Sequence, residues 1–131
     1  MLIINNNKYN VLSSEIKYID LIYNNRKMYS ISVLLDIEFN DKKGYISFDV
    51  DSFNIKDFKN IENRKYIELP TDLDSNISMI EIFDTENFID FIDSEVTLEF
   101  GSINNNKIPV TLNINDELIT LQYNGLLNIK Q

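Results

Sequence analysis

Three groups of side chains in this sequence have the residue types and spacing for chemistry. Asp49 and Asp51 stand two apart. On a strand that puts both carboxylates on one side, about 7 Å apart, where they could hold a magnesium ion, although a solvent-facing strand edge explains them as well. Asp72, Asp74 and Asn76 begin as a calcium loop begins. Such a loop needs Gly at its sixth position and Glu at its twelfth, and those positions are Ile77 and Phe83, so a turn with solvated acids is expected instead. Asp90 and Asp93 are three apart and would pair as a carboxylate dyad on a helix face. A glycosidase needs two acids across a cleft, and nothing in the spacing places them so.

The missing residue types narrow the chemistry further. The chain has no His and no Cys. Ser-His-Asp triads, Cys-His dyads, thiolate metal sites and disulfides are therefore impossible. What remains is carboxylate, Lys or Tyr chemistry, or magnesium held by acids. There is no GxGxxG, GxxxxGK[ST] or GxSxG, and three glycines give little means of cradling a phosphate. The expectation is a protein without catalytic activity, metal or cofactor.

Charge is unevenly placed. The net charge is −9, and residues 66–106 hold ten acids with no Lys or Arg. The rest of the chain is close to balanced, so the whole excess comes from about a third of it. Such a stretch is either a solvated face that aids solubility or a surface that steers a basic partner. The bases occur as separated pairs (Arg26-Lys27, Lys42-Lys43, Arg64-Lys65), and the total charge repels phosphate, so no nucleic-acid partner is expected. No apolar run approaches the roughly 18 residues of a membrane-spanning helix. The start, Met1 to Lys8, has neither a basic nor a long apolar segment, so no signal peptide is read and a cytoplasmic location is expected. The 21 Ile, 19 Asn and absent Ala fit an AT-rich gene, which accounts for much of the Asn content.

The elements that must position these residues read mainly as strands. At 131 residues and 44% hydrophobic, the chain fits one domain, 1–131. From Tyr29 to Phe39 every second residue is apolar, the mark of a half-buried strand. Asn40 to Gly44 supply a turn, with Gly44 free to take positive φ, and Ile46, Phe48 and Val50 return as the hairpin's second strand. Val96 to Phe100, Ile108 to Ile114 and Ile119 to Tyr123 form a three-strand antiparallel meander, with Asn124-Gly125 as a further turn. Pro109 cannot donate to a ladder and should face an edge or a bulge. The apolar phase slips between Tyr18 and Ile19, which suggests a bulged strand or a buried helix. Segments 65–69 and Ile77–Phe83 read as strands. Two short helices are expected. One is capped by Asn54, with Ile55, Phe58 and Ile61 as its stripe; the other spans 85–94, capped by Thr85, with Phe88, Ile89, Phe91 and Ile92 buried. The predicted class is α+β, with a β-sandwich or partly open barrel as the alternative. Tyr9, Tyr23, Tyr45 and Tyr123 flank turns or strand ends, where they could border an interface.

In outline this layout resembles the small acidic immunity proteins of bacterial polymorphic and contact-dependent toxin systems. The likeness rests on the hairpin 29–50, the run Asp51-Ser-Phe-Asn-Ile-Lys-Asp-Phe, the acidic segment 85–94 and the closing meander, with no single diagnostic motif. It implies a non-enzymatic inhibitor that covers the active site of a basic toxin domain. The alternatives are a phage or plasmid protein, as nucleic-acid mimic or virion component, and a carboxylate-based enzyme. Asp84, Glu86, Asp90, Asp93 and Glu95 are the expected centre of the partner-binding surface, carried on or beside the second helix.

Overall fold

A computed structural model describes residues 1–52, 57–68, 77–83, 88–90, 95–115 and 119–130. Among these residues ten strands form one sheet: β1 (Leu2–Ile4), β2 (Asn7–Tyr23), β3 (Arg26–Phe39), β4 (Lys42–Ser52), β5 (Lys65–Glu68), β6 (Ile77–Phe83), β7 (Phe88–Asp90), β8 (Glu95–Phe100), β9 (Lys107–Asn115) and β10 (Thr120–Lys130). Their order is β5-β8-β9-β10-β1-β2-β3-β4-β6-β7, and neighbours run antiparallel. The α+β expectation is overturned: the molecule is nearly all antiparallel β, curled into a half-barrel.

Chain reach makes the curl unavoidable. Strands β8 and β7 are eight strand spacings apart in the order, about 38 Å if the sheet were flat. Yet Asp90 ends β7 and Glu95 begins β8, and five residues reach at most about 18 Å. The far ends of the sheet must therefore bend toward each other.

Seven of the nineteen Asn residues sit in two-residue hairpin turns. Asn5-Asn6, Asn24-Asn25, Asn40-Asp41 and Asn105-Asn106 all have positive φ, between 49° and 67°. Positive φ at both central residues defines the type I′ turn, whose twist matches that of the paired strands, and Asn and Asp tolerate it best after Gly. Gly44 does not serve as predicted. No described glycine has positive φ, and Gly44 lies within β4, opposite Ile37.

Both expected helices are corrected. Among the described residues of the first expected helix, 57–61, the structure has a 3-10 turn, Phe58–Asn60. Its cap is Asp57, whose carboxylate accepts from the Lys59 N–H while the Asn60 side chain accepts from the Asp57 N–H. Asn54 and Ile55 lie outside the described residues. Phe58 and Ile61 do pack inward, Ile61 fully buried, because an i, i+3 stripe suits three residues per turn as well as 3.6. In the second segment Phe88–Asp90 is a strand, with Ile89 opposite Ile82 and Phe88 opposite Phe83. Aromatic and β-branched residues favour the pleated surface when a partner strand is on offer, and β6 offers one. Thr85, Phe91 and Ile92 lie outside the described residues.

Two smaller expectations also change. Asn124-Gly125 is not a turn, since β10 runs unbroken through it. The irregularity in β2 falls at Leu12, between Val11 and Ser13, and pairing with β3 is regular across Tyr18 and Ile19. Pro109 sits just beyond the last β8 pair, Phe100 with Val110.

The core lies on one face of the sheet. Ile31, Val33, Leu35, Ile46, Phe48, Val50, Leu98, Phe100, Leu112 and Leu121 are all buried there. Each such side chain contributes roughly 1.5–3 kcal/mol on leaving water. Strand β1 is a short wedge between β10 and β2, with Leu2 fully buried. Past its end β10 and β2 meet directly, pairing in parallel from Asn128–Lys130 to Glu15–Lys17. The Ser14 hydroxyl donates to the Leu126 carbonyl at 2.7 Å, and the Asn128 amide donates to the Ser14 carbonyl at 3.0 Å.

Candidate functional site

Of the five carboxylates expected to form the site, Asp84, Glu86 and Asp93 lie outside the described residues. Asp90 closes β7 and Glu95 opens β8, so both stand on strands rather than beside a helix. In the strand order seven strands separate β7 from β8. Asp90 and Glu95 are therefore not strand neighbours, and chain length alone holds them within about 18 Å.

Register gives each acid different company. Asp90 is directly opposite Glu81, which in turn is opposite Ser47 of β4. Inward Ile46 and Phe48 flank Ser47, so Ser47, Glu81 and Asp90 hold register positions on the outer face. Two like charges directly opposite on an antiparallel pair are destabilising. Glu99 of β8 is instead opposite Thr111 on one side and Lys65 on the other. Glu95 is exposed and opposite Asn115.

The other sequence candidates separate in the same way. Asp49 and Asp51 do share a face of β4, opposite Ser32 and Ser30 of β3. Among the described residues no group of three acids could hold a metal ion. Asp72, Asp74 and Asn76 lie outside the described residues, as does Asp93 of the proposed dyad. Tyr123 belongs to the core rather than to an interface border, at 5% exposed. Tyr9 stacks on Phe39 with ring centroids 4.5 Å apart.

The outward face differs from place to place. Across the middle of β9, β10 and β1 the side chains are uncharged, with Lys107 and Lys130 only at the strand ends, and a shallow groove there is lined by Met1, Ile3, Thr111, Asn113, Gln122 and Asn124. The Thr111 hydroxyl donates to the Asn124 side-chain oxygen at 3.0 Å. Across β2, β3 and β4 the outward positions include Glu15, Lys17, Asp36, Glu38 and Lys43. Polar outward positions over an apolar inward face are the reverse of a lipid-facing barrel. Among the described residues no helix is long and apolar enough to cross a membrane.

Among the described residues three tyrosines, Tyr18, Tyr66 and Tyr123, have perturbed acidity. Burial pushes the Tyr18 phenol up to about 12, helped by its hydrogen bond with Asp20 and that carboxylate's charge. Burial also raises Tyr66, against the opposing pull of Arg64, and its hydroxyl is buried without a hydrogen-bond partner among the described residues. Burial raises Tyr123, with a hydrogen bond to Ser14 acting the other way.

Sequence reasoning missed one region, the outer end of the β2–β3 hairpin. Ile22 there is 83% exposed and Ile19 is 40% exposed. The signal was present as the phase slip at Tyr18 and Ile19. It puts apolar residues on both faces of a hairpin whose flanking strands, β10 and β4, have ended among the described residues.

Comparison with protein families, with curated proteins and with solved structures finds no match to this chain.

Proposed function

We propose that this chain is a non-catalytic binding protein for a basic protein partner, of the immunity type that inhibits a toxin domain. One observation carries the reading: Glu81 and Asp90 stand opposite each other on the outer face, within a 41-residue stretch that holds ten acids and no base. That pairing opposes folding, and a cationic surface laid across it relieves the repulsion. Solubility alone asks only for dispersed charge. The absence of His and Cys leaves few routes to catalysis and is consistent with a role in recognition.

Complementary charge acts mainly on the association rate, and salt screens it. The test is to co-express the chain with the product of the gene beside its own and to measure protection from growth arrest. Binding kinetics are then taken for the wild type and for Glu81→Gln with Asp90→Asn. Protection is expected, with an association rate roughly tenfold lower in the double variant and a flatter salt dependence. Unchanged rate and salt dependence would place recognition elsewhere and return the acids to solubility.

A further inference from the structure

Strands β2 and β3 run on past their neighbours. Strand β4 leaves β3 at Tyr29, opposite Ser52, and β10 leaves β2 at Lys17, opposite Lys130. From Tyr18 to Tyr23, β2 pairs only with β3 among the described residues. One edge of this six-residue segment, about 20 Å long, thus presents backbone N–H and C=O groups to no strand among the described residues. Natural edges of this kind are blunted by Lys, Pro or a bulge. The run Tyr18-Ile19-Asp20-Leu21-Ile22-Tyr23 has no Lys, Pro or Gly, its one charge, Asp20, is paired with Lys27 of the same hairpin, and the bulge of β2 lies at its other end, by Leu12. Ile22 and Ile19 stand exposed on the same run.

We propose that this edge pairs antiparallel with the same edge of a second copy, about a twofold axis through Leu21. The register follows from the pleat. An axis normal to the sheet keeps outward positions opposite outward positions, so it must pass through a residue. Centred on Asp20, it would oppose two carboxylates. Centred on Ile22, it would push Ile19 and Asp20 against the turn residues Asn25 and Asn24. Centred on Ile19, it would reach Lys17 and Glu15, which β10 already occupies. Centred on Leu21, it sets Leu21 opposite Leu21, Ile19 opposite Tyr23 and Asp20 opposite Ile22, with no like charges facing and with Tyr18 alone of the segment set against a turn residue, Asn24. Asp20 keeps its own counter-ion, Lys27 of the same hairpin at 3.5 Å. The segment is thus complementary in charge and in apolar character to its own copy in this one register.

The full chain is tested by sedimentation across a range of concentrations, and by cross-linking. It has no native cysteine, so single cysteines report without interference. Facing residues in an antiparallel pair have Cα atoms about 4.5–5.5 Å apart, within disulfide range. Leu21→Cys is expected to form a disulfide-linked dimer on mild oxidation far faster than Leu126→Cys, an exposed position on β10. Ile19→Lys with Ile22→Lys is expected to keep the circular dichroism spectrum and raise the dimer dissociation constant roughly tenfold or more. A wild-type chain that sediments as a monomer at every concentration overturns the proposal. So does a dimer in which Leu21→Cys cross-links no faster than Leu126→Cys, since its interface then lies elsewhere.

Discussion

The β8–β9–β10 meander and the outer end of the β2–β3 hairpin both alternate along antiparallel strands, yet they differ in what lies beside them. In the meander β9 is flanked on both edges, and its inward residues Ile108, Val110, Leu112 and Ile114 are all at most 2% exposed. In the hairpin the same chain that buries Ile16 at Lys17's level exposes Ile22 six residues later. Strand-forming residues are common to both regions. Burial is not, because it depends on neighbouring strands and on the opposing half of the curled sheet.

The largest expected effect sets these regions directly against each other. Phe100→Ala should lower unfolding free energy by about 3–5 kcal/mol, since Phe100 is 1% exposed and packs edge-on against Tyr66. Ile22→Ala should change it by no more than about 0.5 kcal/mol in the monomer. Urea unfolding of both variants measures the contrast, and comparable losses would break it.

A smaller effect is expected within the meander itself. A Cβ added at Gly125 would lie 2.5 Å from the Tyr123 hydroxyl oxygen and 2.8 Å from the ring carbon that bears it. Gly125→Ala must swing that ring out of its place, and a loss of about 1–3 kcal/mol is expected. The same urea measurement applies, and a neutral result would show that the meander yields more readily than its burial suggests.

The smallest effect belongs to the hairpin and appears only in alkali. Folding raises the Tyr18 phenol from 10.0 to about 12, so the unfolded chain loses this proton first. The stabilisation is fully present below pH 10 and is lost as pH rises through about 12. Tyr66 and Tyr123 shift in the same direction and add to the decline. Tyr18→Phe should flatten the fall in unfolding midpoint over that window, leaving the part due to the other two. An unchanged slope would show that Tyr18 is as open to water as the end of its hairpin.

Period-two alternation made the hairpin 29–50 and the three-strand meander legible, because a two-residue period states both the element and its buried face. The helices failed for a definite reason. Phe88, Ile89, Phe91 and Ile92 satisfy a helical stripe, and a short apolar run carries no period of its own that separates helix from strand. The partner strand β6 decided Phe88–Asp90. Gly125 read as a turn because Asn-Gly is a turn signal, and only the Tyr123 ring above it shows that the glycine serves a close approach within a strand.

For the acidic stretch the sequence by itself determined the amount of charge and its confinement to 66–106, since both are counts along the chain. It also determined the absence of imidazole and thiol chemistry and, at Asn40-Asp41, one of the places where the chain turns back. Only the tertiary structure decided that Glu81 faces Asp90 while Glu99 lies opposite Lys65. It also decided that β2 outruns its neighbours, and that the sheet curls until β7 and β8 fall within five residues' reach. The physical reason is that register and strand order come from pairings between distant segments, whose free energy depends on both partners at once, and no local window of sequence contains both.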